Sequence, residues 1–190
     1  RRGVLPSTRW KRDAMGQAWY PGETISAGIG QGYMLTSPMQ LAVATSVLAS
    51  KGVRHTPRLL HAVDGETVAA PLLDPVVVPE EYWQAVYEGM IEVVHGKRGT
   101  AKVLAKGIQY LMAGKTGTAQ VIGIAQNSVY NEAEVAERHR HHGLFIAFAP
   151  AEAPTIAVAI IVENGGGSSA ATPIARKVID TWLFGEAAGG

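Results

Sequence analysis

The sequence predicts an α+β fold in which helices pack on an antiparallel sheet. Three observations carry this expectation. Ser37–Gly52 and Glu80–His95 repeat apolar residues at three- and four-residue spacing, the period of amphipathic helices. Leu144–Ala149 and Thr155–Val162 are apolar or β-branched throughout and are joined by Ala151-Glu152-Ala153-Pro154 at hairpin length. A last helical pattern, opened by Thr172 and Pro173, closes the chain.

Composition narrows the class further. The 190 residues suit one domain, and a hydrophobic content of 47% is enough for a core. Seventeen basic and 16 acidic residues leave a formal charge of +1, which argues against a nucleic-acid partner. No apolar run approaches the roughly 18 residues of a membrane span. The absence of cysteine excludes disulfides and thiolate metal sites. The start at Arg1-Arg2-Gly3, without an initiator Met, predicts a piece of something longer.

Taken in order, residues 1–35 are expected to be irregular, because Pro6, Pro21 and five glycines from Gly16 to Gly32 interrupt every period. Gly28-Ile29-Gly30-Gln31-Gly32 predicts a tight loop packed against a neighbour. It fails as a dinucleotide fingerprint, since no glycine stands three residues after Gly30. Ser37, Pro38 and Gln40 form a capping box ahead of the first helix, and Gly52 stops it. Residues 53–79 hold four prolines and an Asp64-Gly65 turn signal, a surface excursion with room for two short strands. The second helix begins with Glu80 and Glu81, where carboxylates suit the dipole. Its apolar rows are Tyr82, Val86, Met90, Val93 and Trp83, Tyr87, Ile91, Val94. Gly99-Thr100-Ala101 opens a short helical turn.

Residues 121–142 are polar, with Asn131-x-x-Glu134 as a capping box for a short helix to Arg138. His139, His141 and His142 lack metal-ligand spacing and predict a solvated basic loop without metal. The two apolar runs that follow predict central strands covered on both faces. In the last helix, Thr172 is the expected N-cap, and Ile174, Val178 and Trp182 the expected packed face.

The stretch with most chemical content is Ala113-Gly114-Lys115-Thr116-Gly117-Thr118-Ala119-Gln120. A phosphate loop would need a glycine at Gln109 and a helix after Thr116, and neither is present. A strand fits better. On a strand, Lys115 and Gly117 share one face while Thr116 and Thr118 share the other, and a twist or bulge at the glycines could turn both hydroxyls to a cleft. Glycines within a strand often mark close approach of a ligand or another backbone. A peptide could add along such an edge, its carboxylate held by the cation and hydroxyls. Residue types alone leave open a plain glycine-kinked edge strand with an exposed lysine.

Lys115-Thr116-Gly117 matches the K-T-G element of penicillin-binding proteins and serine β-lactamases. The longer run to Val121 is more specific. Gly28-Ile29-Gly30-Gln31-Gly32-Tyr33, Ser37-Pro38-Met39-Gln40, Ala136-Glu137-Arg138, Phe148-Ala149-Pro150 and Val162-Glu163-Asn164-Gly165-Gly166 fit as well. Together, from about Trp19 to Leu183, they resemble the penicillin-binding protein 2 family. These are the class B, elongation-specific peptidoglycan D,D-transpeptidases of Gram-negative bacteria.

The resemblance implies a transpeptidase domain of serine β-lactamase-like fold, with three antiparallel strands, packed helices and a closing helix. It implies a serine that attacks the D-Ala-D-Ala bond of a stem peptide, an acyl-enzyme, and transfer to an amine of a neighbouring stem. β-Lactams would acylate the same serine, and no cofactor is implied. Lys115 would set the electrostatics beside the catalytic hydroxyls, and Thr116 and Thr118 would hold the substrate carboxylate. The Thr118 backbone N–H would be one oxyanion-hole donor, and Gly117 would leave room for the peptide. Further implications are partnership with the elongation machinery and a place at the periplasmic face of the inner membrane, anchored outside this stretch.

One departure matters. The family uses S-x-x-K for its nucleophile and base and S-x-N for proton transfer. Among the lysines, only Lys11 has a hydroxyl three residues before it, Thr8, and no S-x-N occurs. Residues 1–190 are therefore expected to be the C-terminal part of one transpeptidase domain, inactive without its nucleophile-bearing part. The alternative is a non-catalytic penicillin- or peptide-binding module.

Overall fold

A computed structural model describes residues 3–71, 73–121 and 135–185 of the chain. It divides into two compact units, residues 1–40 and 41–190.

The first unit corrects the expectation of irregular structure, for it holds α1 (Thr8–Met15) and α2 (Pro21–Gly28). Local capping outweighs the breakers. The Ser7 hydroxyl accepts the Trp10 N–H at 3.1 Å, and Gly16, at φ 66°, ends α1 in the left-handed region. Pro21 opens α2, and the Glu23 carboxylate accepts the Tyr20 N–H at 2.7 Å. The buried Lys11 ammonium pairs with Glu23 and lies 4.5 Å from the Tyr20 ring centroid, tying the two helices together. The glycine run does turn, with Gly30 at φ 76° and Gly32 at φ 71°. It is not tightly packed, since a Cβ on Gly28 or Gly30 would meet nothing within 4 Å.

The expected capping box is present. Ser37 Oγ accepts the Gln40 N–H at 3.2 Å, and Gln40 Oε1 accepts the Ser37 N–H at 2.9 Å. α3 (Pro38–Ala49) follows, and Gly52 at φ 103° stops it.

In the second unit, β1 (Ala62–Val63) and β2 (Glu66–Thr67) form a two-stranded hairpin around Asp64-Gly65. α4 (Glu80–His95) buries Trp83, Tyr87, Met90 and Val94, whereas Tyr82 and Val86 of the expected first row stay exposed. A 3-10 turn, Lys102–Ala105, leads towards the main sheet. That sheet comprises β3 (Ala113–Ala119), β4 (His142–Ala149) and β5 (Ile156–Val162), antiparallel and in the order β3-β4-β5. β4 is central as expected. β5 is an edge strand among the described residues, not a central one.

α5 (Thr172–Phe184) closes the chain, and both detailed expectations for it need correction. The cap position falls on Ala171, and Thr172 is the first helical residue and is buried. Ala175 and Ile179 face the core with Thr172, while Ile174, Val178 and Trp182 are exposed. Small residues let α5 approach the sheet closely, so the bulkier stripe points away.

The sheet is packed on both faces. Phe145, Ala147 and Val158 join Ala171, at the cap position of α5, and Ala175 and Ile179 of α5 in one core cluster. Phe148 and Ala113 join Tyr87 and Met90 of α4 in the other. The capping box proposed at Asn131–Glu134 lies outside the described residues. A 3-10 turn spans Glu137–His139. His141 and His142 are not solvated loop residues. His141 is buried, and His142 opens β4 and accepts the Asn164 N–H on Nδ1 at 2.9 Å.

Candidate active site

The lysine stretch is strand β3, as its composition suggested, and among the described residues it lies at the outer edge of the sheet. Its register with β4 runs unbroken from Ala113↔Phe148 to Ala119↔His142, so there is no bulge. The strand period therefore puts Thr116 and Thr118 on one face and Lys115 and Gly117 on the other. Lys115 is exposed, and its ammonium donates to the Thr116 carbonyl at 2.8 Å. The Thr116 and Thr100 hydroxyls are 2.9 Å apart.

The two glycines of the strand differ in what surrounds them. A Cβ on Gly114 would come within 2.5 Å of the Phe145 ring and 3.1 Å of the Ile146 carbonyl. Gly114 is thus a packing requirement. A Cβ on Gly117 would meet only the Leu144 Cβ, at 3.3 Å. Little in the fold itself demands glycine there.

Four contacts that sequence reasoning missed hold β3 and its surroundings in place. His95, the last residue of α4, accepts the Met112 N–H on Nε2 at 3.0 Å just before β3 starts. Thr100 reaches β3 through its hydroxyl. Arg176 of α5 donates to the carbonyls of Leu104 at 2.7 Å and Gly107 at 3.2 Å and pairs with Asp180 at 2.6 Å. Asn164, at φ 56°, donates its side-chain amide to the Arg138 and Arg140 carbonyls at 3.1 and 3.0 Å. It thereby fixes the chain leading into β4. The only sequence signals for these contacts were the glycines around Thr100 and the Asn-Gly pair at 164–165.

Thr8 and Lys11 do not substitute for the missing S-x-x-K. They fall on one turn of α1, but the Lys11 ammonium is engaged by Glu23 and cannot take a proton from Thr8. Among the described residues, no group of three His, Asp or Glu side chains is placed to hold a metal, and no helix is long and apolar enough to cross a membrane.

Residues 5–180 match the family model of the penicillin binding protein transpeptidase domain. The chain belongs to this family. Among its relatives, it is 40% identical over 186 residues to peptidoglycan D,D-transpeptidase MrdA of Haemophilus influenzae, covering 94% of this chain and 28% of that protein. It is 41% identical over 187 residues to MrdA of Acinetobacter baumannii, covering 96% of this chain and 27% of that one. Among solved structures, Pseudomonas aeruginosa PBP2 in complex with WCK 5153 superposes with a TM-score of 0.81 at 45% identity, covering 97% of this chain and 39% of that one. PBP2 of Helicobacter pylori, in its complex with MreC, gives 0.78 at 32% identity, covering 96% and 31%. The penicillin-binding transpeptidase fold is therefore established, in the α+β form expected. The chain spans under a third of the length of the curated relatives it matches.

Proposed function

We propose that the full-length protein is a peptidoglycan D,D-transpeptidase of cell elongation. In this proposal residues 1–190 form the C-terminal part of its transpeptidase domain and supply one wall of the active site. The observation that carries this reading is β3: a K-T-G-T strand at the sheet edge among the described residues, in a chain 40% identical to MrdA of Haemophilus influenzae.

In the proposed reaction a serine from outside this sequence attacks the carbonyl of the D-Ala-D-Ala bond. Its proton passes to the leaving amine and the terminal D-Ala departs. An amine of a second stem then displaces the serine from the acyl-enzyme, and the cross-link forms. As an edge strand among the described residues, β3 suits strand addition by the stem peptide. Thr116 and Thr118 hold its terminal carboxylate, assisted by the Lys115 charge, and Gly117 leaves the backbone accessible. The Thr118 N–H is one oxyanion donor, of a kind whose loss costs about 2.7–4 kcal/mol of barrier. Penicillin-binding protein A of Mycobacterium tuberculosis forms an acyl-enzyme with imipenem. β-Lactam acylation of this protein follows from the same chemistry.

Two observations support the assignment as part of a domain. S-x-x-K and S-x-N are absent from the sequence. Ile174, Val178 and Trp182 also leave an apolar stripe of α5 exposed by 45%, 40% and 63%. The remainder of the domain would cover that stripe and bring the nucleophile. The complex of Helicobacter pylori PBP2 with MreC supports a partnership with the elongation machinery. In this proposal the site works where peptidoglycan is assembled, at the periplasmic face of the inner membrane.

The test is labelling by a fluorescent penicillin. The full-length protein is expected to be acylated at a serine preceding Arg1, and the 190-residue piece to remain unlabelled. A reading frame that carries neither motif upstream, or a serine of residues 1–190 taking the label, overturns this account. The first result would favour a non-catalytic penicillin- or peptide-binding module.

A further inference from the structure

We propose that Thr100 is a positioning residue for the carboxylate-binding hydroxyl of Thr116. This rests on the transpeptidase reading above and adds a residue from outside the K-T-G strand. The contact is a single hydroxyl pair, with the oxygens 2.9 Å apart and either able to donate.

Hydroxyl valence decides which arrangement is useful. Each threonine hydroxyl has one proton and two acceptor lone pairs. If Thr116 donates to Thr100, it has no proton left for a substrate carboxylate. If Thr100 donates to Thr116, the Thr116 proton is free for the carboxylate, and the accepted bond polarises it further. A bound carboxylate accepts only, so it selects the second arrangement. Thr100 then fixes the Thr116 rotamer and strengthens it as a donor.

Thr100 is held firmly enough to do this. The Gly99 N–H donates to the Gly96 carbonyl at 3.0 Å, and the Ala101 N–H donates to the Val93 carbonyl at 2.9 Å. A Cβ on Gly99 would lie 2.4 Å from the Val93 carbonyl oxygen and 2.5 Å from that of Glu92, so the loop lies directly on the end of α4. Ala101 is buried. Meanwhile His95 fixes the start of β3 to the same helix. The two hydroxyls thus stand on elements anchored to one common support.

Thr100 itself is exposed, so water can replace either partner in the free protein. The contact adds little to folding and acts when a ligand excludes that water. This separates a positioning role from a structural one.

The test uses the full-length protein and the second-order rate of acylation by a fluorescent penicillin bearing its carboxylate. Thr100→Val is expected to lower that rate about five- to tenfold, the effect of one lost hydrogen bond, with the thermal midpoint unchanged. Thr100→Ser is expected to restore it. In a Thr116→Val background, Thr100→Val is expected to have no further effect. An unchanged rate in Thr100→Val, failure of serine to rescue, or an equal loss in the Thr116→Val background overturns the proposal while leaving the transpeptidase reading intact. A wild-type protein that takes no label overturns that reading, and this inference with it.

Discussion

The Nε2 of His95 accepts the backbone N–H of Met112 at 3.0 Å, joining the last residue of α4 to the residue that precedes β3. Met112 is fully buried, so its N–H has no water to turn to. His95→Ala should therefore cost about 1–3 kcal/mol, the penalty of an unsatisfied buried donor. His95→Gln, which keeps an acceptor, should cost less. Denaturant midpoints of the two variants check this, and equal midpoints for His95→Ala and wild type would contradict it.

Tyr110, Asp180 and Arg176 form a second support. The Tyr110 hydroxyl donates to Asp180 at 2.7 Å, and the other Asp180 oxygen accepts from Arg176. Burial first, and then the Asp180 hydrogen bond, push the Tyr110 hydroxyl well above the ordinary tyrosine range. In the unfolded chain a tyrosine ionises near pH 10, at about its ordinary value. Above that pH the unfolded state releases a proton that the folded state keeps. The stabilisation is thus complete below about pH 10 and is lost as pH rises towards the folded value. Tyr110→Phe should flatten the alkaline fall of the thermal midpoint. An unaltered alkaline limb would argue against this coupling.

Glu23 gives the opposite sign. Its carboxylate is held below the ordinary range by the Lys11 hydrogen bond and then by the Tyr20 N–H. Its contribution is present above the ordinary glutamate value of about 4.3 and is lost as pH falls through the lower folded value. Glu23→Gln should remove part of the acid-induced loss of stability below about pH 4. Thermal midpoints measured across that range decide it, and identical acid limbs would reject the assignment.

How much of this was legible in the sequence follows from range. α3 and α4 announce themselves through local periodicity, with Gly52 as the stop of α3, and β4 and β5 through unbroken apolar runs. K-T-G-T pointed to the candidate site because its residue types are unusual together. α2 was missed because Tyr20 stands at the cap position facing Glu23, where a short hydroxyl residue is the usual signal, and α1 because its Ser7 cap opens only eight helical residues before Gly16 ends them. The packed face of α5 was misassigned because Ile174, Val178, Trp182 and Thr172, Ala175, Ile179 have similar helical spacings. Period alone cannot choose between them, and close approach to the sheet selects the smaller set. His95, Thr100, Arg176 and Asn164 act across 16 to 72 positions of sequence, beyond the reach of any local pattern.

The two glycines of β3 supply the sharpest separation of folding from function. Gly114→Ala drives a methyl into the fully buried Phe145 ring, which has nowhere to swing, and should cost about 1–3 kcal/mol through overpacking. Gly117→Ala meets only the Leu144 Cβ at 3.3 Å, a contact that a shift of a few tenths of an ångström relieves. Its stability should change by less than about 1 kcal/mol, offset in part by the poorer strand propensity of glycine. If a stem peptide or β-lactam lies against Gly117, the same methyl should slow penicillin acylation of the full-length protein at least about tenfold. Measured side by side, Gly114→Ala should move the thermal midpoint and Gly117→Ala the acylation rate. A Gly117→Ala protein that is acylated at the wild-type rate would remove Gly117 from the site.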